Sequence, residues 1–185
     1  MDGNLPGEAA MNFRELWQAG MTYPEFVEVA SAAHRGLWES IDRLARVPEW
    51  ALVAGGTEPR HFLALAEDWC GDAVNTLPFM ARWVEAAAGF DLRILRRDEH
   101  PAVMERYLTT GARAIPIVIA LDAGFRELGH WGPRPRELQR WVMASHETMP
   151  KDERYTLVRR WYASDRGHST IREVMEAAQL ATPDA

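Results

Sequence analysis

Hydrophobic residues recur at helical spacing along the first part of the chain. Phe13, Leu16 and Trp17 share a face, and after Thr22-Tyr23-Pro24 the residues Phe26, Val27, Ala30, Ala33, Leu37, Ile41 and Leu44 repeat at intervals of one, three and four. This predicts a helical region from Asn12 to Trp50, closed by Pro48 and the Gly55-Gly56 pair. The pattern then changes. Residues 60–66, R-H-F-L-A-L-A, read as a short buried strand, and Asp72 to Ala88 as a helix kinked at Pro78 with Val74, Leu77, Ala81 and Val84 on one side. A second strand is predicted from Phe90 to Leu95. A turn, R-R-D-E-H-P, leads into a short helix over Ala102–Leu108, with Pro101 suited to its first turn. The apolar run A-I-P-I-V-I-A-L, residues 114–121, predicts a third strand. Asp122-Ala123-Gly124 turns the chain into an edge strand, Phe125–Trp131, and everything after G-P-R-P reads as helix broken near Pro150 and Gly167. Thr170 with Glu173 predicts a capping box for the last helix. Strand, helix, strand, helix, strand, strand, helix is the order of a mixed sheet covered by helices.

Composition narrows the function classes. The 185 residues are 47% hydrophobic and 26% charged with a formal net charge of −6, which suits a soluble globular protein and argues against an electrostatic nucleic-acid binder. No stretch approaches the roughly 20 apolar residues of a membrane helix. The N-terminus M-D-G-N-L-P-G-E-A-A lacks the basic and apolar regions of a secretory signal, so the expected location is cytoplasmic. The chain has one cysteine, Cys70, which excludes an intramolecular disulfide framework and a multi-cysteine zinc site. Its six histidines show no paired metal-ligand spacing and read as surface or capping residues, so no metal site is expected.

Cys70 lies in A-E-D-W-C-G-D-A-V-N, residues 66–75, at the mouth of the predicted helix. Unpaired N–H groups and the positive end of the dipole lower the pKa of a thiol placed there. Asp72 competes for those donors and repels a thiolate, and Glu67 and Asp68 add negative charge. Any depression is therefore smaller than an unopposed helix terminus would give, and the residues leave the sign of the net shift open. A lone cysteine also has a bland reading as a small buried hydrophobe.

Trp69-Cys70-Gly71 opening a helix resembles the W-C-G-x-x motif of the thioredoxin-like family. Pro78, eight residues after the cysteine, matches that family's helix proline, and Ile115-Pro116 matches its cis-proline beside the active cysteine. R-R-D-E-H-P-A-V-M-E-R-Y-L and W-G-P-R-P resemble a little-studied bacterial branch of the family. The resemblance implies a thioredoxin-like α/β fold: a mixed central sheet flanked by helices, with helical extensions at both ends. It divides the chain into a loose segment 1–10, an N-terminal helical extension 11–57, a core 58–147 and a C-terminal helical extension 148–185, packed as one domain. The resemblance also marks two departures. The resolving cysteine would fall at position 73, which is Ala73, and the buried carboxylate at position 64, which is Ala64.

A dithiol cycle cannot run inside such a chain. Two readings follow from the resemblance. In the first, Cys70 performs monothiol exchange with a disulfide-containing protein or small thiol, with no bound cofactor and a low-molecular-weight thiol as co-substrate. Trp69, Gly71, Asp72, Ile115 and Pro116 then form the binding surface. In the second, the fold has lost catalysis and the groove around Trp69, Ile115 and Pro116 holds a peptide or protein partner. Cluster binding through Cys70 in a dimer is a third, weaker reading. The W-G-P-R-P turn, residues 131–135, reads either as a rigid corner with Trp131 packed and Arg134 and Arg136 solvated, or as a loop whose arginine recognises an anion. Trp141 and Trp161, two of eight tryptophans, are placed to seal the C-terminal extension or form a dimer surface.

Overall fold

The computed structural model describes residues 11–53 and 58–182. The expectations for residues 1–10 and for Gly55-Gly56 lie outside the described residues. Four helices come first: α1 (Phe13–Ala19), α2 (Tyr23–Glu28), α3 (Ala32–Leu44) and α4 (Glu49–Val53). The central part follows as β1 (Arg60–Ala66), α5 (Gly71–Ala86), β2 (Phe90–Arg96), α6 (Pro101–Met104), β3 (Ile117–Leu121) and β4 (Glu127–Trp131). Three helices finish the chain: α7 (Arg136–Ser145), α8 (Lys151–Asp165) and α9 (His168–Ala177). The sheet order is β2-β1-β3-β4, with β1 and β2 parallel and the other pairs antiparallel. No helix among the described residues is long and apolar enough to cross a membrane.

Alternation along β1 sends neighbouring side chains to opposite layers. Phe62 meets Trp83 of α5, ring centroids 5.3 Å apart, while His61 faces the other layer, 4.8 Å from Trp17 of α1. His61 also stacks on Phe125 at 4.5 Å, so it is not the surface or capping residue expected. Both faces of the sheet are covered, which is why β1 and β3 could be continuous apolar runs rather than alternating ones. Buried tryptophans tie the N-terminal helices to the core through their indole N–H groups. Trp38 Nε1 donates to the Asp68 carbonyl at 2.8 Å, and Trp83 Nε1 donates to the Ala51 carbonyl at 3.2 Å.

Several expectations change. The helix read through from Phe26 to Leu44 is broken at residues 29–31, between α2 and α3. The break resets the helical phase, so Trp38 points inward while Leu37 and Leu44 are exposed. The third strand starts at Ile117 rather than Ala114, and β4 starts at Glu127 because Phe125 takes a positive φ of 64°. The Thr170–Glu173 capping box does not form. Glu173 instead accepts from Trp131 Nε1 at 2.8 Å and from the Arg136 N–H, and Thr170 Oγ1 is buried without a partner.

The C-terminal helices are not one unit. α9 packs on β4 and α5, with Ile171, Val174 and Met175 in the main core. α7 and α8 share a small separate core of Leu138, Val158 and Tyr162, on which Trp141 and Trp161 pack. The corner between α8 and α9 uses Arg166 and Gly167 in left-handed conformations.

Candidate functional site

β1 ends at Ala66, and the chain turns through Glu67-Asp68-Trp69 into α5 with Cys70 as its N-cap. The two carboxylates of that turn are engaged elsewhere. Glu67 accepts from Arg96 and from the Asp98 N–H, and Asp68 accepts from the Ser31 N–H at 2.7 Å. They therefore join the end of β1 to β2 and to the N-terminal helices, and they are not among the groups that shift the thiol.

The Cys70 thiol is 7% exposed and makes two hydrogen bonds. Its sulfur accepts from the Ala73 N–H at 3.4 Å and donates to the Ile115 carbonyl at 3.3 Å. A thiol that donates is a protonated thiol. Burial pushes its pKa up to about 11, with the Asp72 carboxylate adding to the rise. The helix-end N–H groups and Arg134 pull the other way and do not win. The sign that the sequence leaves open is thus a rise, because burial removes water from the sulfur.

Asp72 is the centre of that cover. It is buried, and its Oδ1 accepts from Arg134 Nε at 2.9 Å and from the Tyr162 hydroxyl at 2.9 Å. Arg134 also donates to Gln139 Oε1 at 3.0 Å. Burial raises the Asp72 pKa and the guanidinium opposes the rise. Arg134 is therefore not the solvated corner residue of one expectation. It is held by a carboxylate of the same chain, while Trp131 is packed and Arg136 is exposed as the corner reading expected.

The residues read as one binding surface separate into two sets. Trp69 is 49% exposed, with the Arg97 guanidinium 4.9 Å from its ring centroid, and Gly71 beside it is exposed. Ile115 and Pro116 are buried. The W-G-P-R-P turn lies across them so closely that a Cβ on Gly132 would stand 2.1 Å from the Pro116 carbonyl oxygen. The Ile115–Pro116 and Gly132–Pro133 peptides are both cis. Arg134 and Tyr162 were missed as parts of the site. Only the density of special residues in W-G-P-R-P hinted at the first, and nothing local marked the second.

The raised thiol has a consequence for stability. A group whose native pKa lies above its unfolded value holds its proton more tightly in the native state, so stability falls as pH rises between the two values. Between about pH 8.5 and pH 10.5 the protein should lose about 2 kcal/mol more than Cys70→Ser, compared by urea midpoints. Parallel curves for the two proteins would contradict a native thiol near 11.

The comparisons agree with this architecture. A family model described as thioredoxin matches residues 20–153. A Pseudomonas aeruginosa protein of unknown function superposes with a TM-score of 0.73 at 18% identity, covering 91% of this chain and 98% of that one. An HIV epitope scaffold superposes with a TM-score of 0.72, again at 18% identity and with the same coverage. No curated protein matches the chain.

Proposed function

The chain belongs to the thioredoxin family, and on that premise we propose that it is a binding module of thioredoxin fold that carries out no dithiol redox cycle. The observation that carries this reading is the sulfur's setting: 7% exposed, hydrogen-bonded on both sides and next to Asp72, which Arg134 and Tyr162 hold in a buried cluster. Ala73 and Ala64, where the family's resolving cysteine and buried carboxylate would stand, are both fully buried apolar positions here. The backbone of Gly132 lies directly against Pro116. A partner protein would then be met by Trp69 backed by Arg97, since a half-exposed tryptophan beside a guanidinium has the composition of an interface anchor. The same reading puts the protein in the cytoplasm, where a lone cysteine stays reduced.

A second reading is favoured by the Ala73 N–H and Arg134, which both act to lower the thiol pKa. In it the Cys70 thiolate attacks a partner disulfide, forms a mixed disulfide and releases one partner thiolate. A low-molecular-weight thiol then attacks the mixed disulfide, restores Cys70 and leaves as a disulfide with the partner. This requires the Asp72–Arg134–Tyr162 cover to part.

Cells expressing the full chain, chemically cross-linked or acid-quenched and alkylated, separate the two. The binding reading expects a cross-linked partner that is lost in Trp69→Ala and retained in Cys70→Ser, with Cys70 recovered as free alkylated thiol. An adduct on Cys70 that reduction removes and Cys70→Ser lacks would overturn it in favour of exchange.

A further inference from the structure

A cavity of about 790 Å³ lies away from Cys70. It is walled by α2 and α3 on one side and by the last turns of α5 and the start of β2 on the other. Residues 81–85 of α5 stand about 16–22 Å along the helix from Cys70, so the cavity is separate from the thiol site. Its volume falls within the range of small-molecule sites. It is also the feature that gives the N-terminal helices something to do besides pack.

The floor is apolar, made by Val27 of α2, Ala81 and Val84 of α5, and Phe90 and Leu92 of β2. The rim is charged and biased. Glu28, Glu39, Asp42, Glu85 and Asp91 line it together with Arg35, Arg43 and Arg82. Arg82 is neutralised by Asp42 at 2.6 Å and Glu85 at 3.2 Å. Arg35 is turned onto the backbone carbonyls of Glu28 and Ala30, and Arg43 onto the Ser40 hydroxyl. Glu28, Glu39 and Asp91 are left without an ion pair among the described residues. The Tyr23 hydroxyl, also on the lining, is buried beside the Asp42 carboxylate.

We propose that this cleft binds a small ligand with an apolar body and a cationic amine head. The body lies on the aliphatic and aromatic floor. The ammonium meets the carboxylate rim, whose excess of negative charge a carboxylate or phosphate ligand would only increase.

Three probes with one indole body test the charge: tryptamine, tryptophol and indole-3-propionate. They are titrated into the ¹⁵N-labelled full chain at neutral pH. Tryptamine should shift the amides of Val27, Val84 and Leu92 saturably with a dissociation constant on the order of 1 mM, as expected for a fragment of its size. Tryptophol should bind at least about tenfold more weakly, and indole-3-propionate should not saturate. Glu39→Gln with Asp91→Asn changes two exposed residues and leaves the core intact. It should weaken tryptamine roughly fivefold or more and leave tryptophol unchanged. Ala81→Trp, which fills the cleft, should abolish both. The proposal is overturned if tryptamine causes no saturable shift at about 20 mM, well above a fragment's expected range. Equal or tighter binding of indole-3-propionate, shifts mapping elsewhere, or indifference to the double substitution would each overturn it too.

Discussion

Arg134→Ala should destabilise the protein by about 3–5 kcal/mol, the usual cost of stranding one partner of a buried ion pair. Arg134 has a side chain only 19% exposed and Asp72 one only 10% exposed. Without the guanidinium, Asp72 keeps the Tyr162 hydroxyl and loses the one positive charge bonded to it. Its pKa is already raised by burial, and removing the opposing charge raises it further. The sign of the pH dependence follows. A carboxyl whose native pKa lies above its unfolded value is a burden when ionised, so the deficit of Arg134→Ala is full at neutral pH and shrinks as pH falls through the native value. Arg134→Met combined with Asp72→Asn removes both charges and should cost less than Arg134→Ala alone. Urea midpoints of the three proteins at neutral and mildly acidic pH give the comparison. A loss below about 1 kcal/mol, the size of an exposed pair, would show that the cover is not a buried ion pair.

Gly132→Ala should be as damaging by a different route, with a loss above about 3 kcal/mol or failure to fold. At φ +128° the residue is in a region that side chains rarely adopt. The added Cβ would stand 2.1 Å from the Pro116 carbonyl oxygen and 3.1 Å from the Ile117 Cα, both backbone atoms that cannot swing aside. The turn that carries Arg134 would be lifted off Pro116, and the cover of Cys70 with it. Gly71→Ala is the control. Nothing lies within 4 Å of its Cβ position, and it sits at an ordinary helical φ at the start of α5. It should be neutral or stabilising by up to about 1 kcal/mol. Thermal midpoints of both variants test the contrast, and equal behaviour would mean that the turn does not lie where described.

What was legible in the sequence was local. The boundaries of β1 are those read from R-H-F-L-A-L-A, because a short apolar run between a proline and a polar turn has few alternatives. The order of strands and helices along the chain and the helix at Cys70 followed from the same kind of signal. Cys70 and Asp72 were found because a helix N-terminus is a sequence feature. Their partners were not, because Arg134 lies 62 residues from Asp72 and Tyr162 lies 90. The sign of the thiol shift was not legible for the same reason, although the opposing effect of Asp72 was. Helix dipole and neighbouring charges can be read along the chain, whereas burial is supplied by residues far away in it. Leu37 and Leu44 were placed on the core face because the break at 29–31 carries no proline or glycine to announce a change of phase.

The central claim is that Cys70 is a sealed, protonated thiol, and the pH dependence of its alkylation rate in the native protein tests it most directly. The apparent pKa should lie near 11. The rate near neutral pH should be at least about 100-fold below that of the urea-unfolded chain, from the thiolate fraction alone. An apparent pKa below the roughly 8.5 of a free cysteine, with a native rate equal to or above that of the unfolded chain, would contradict it and return the protein to thiol exchange.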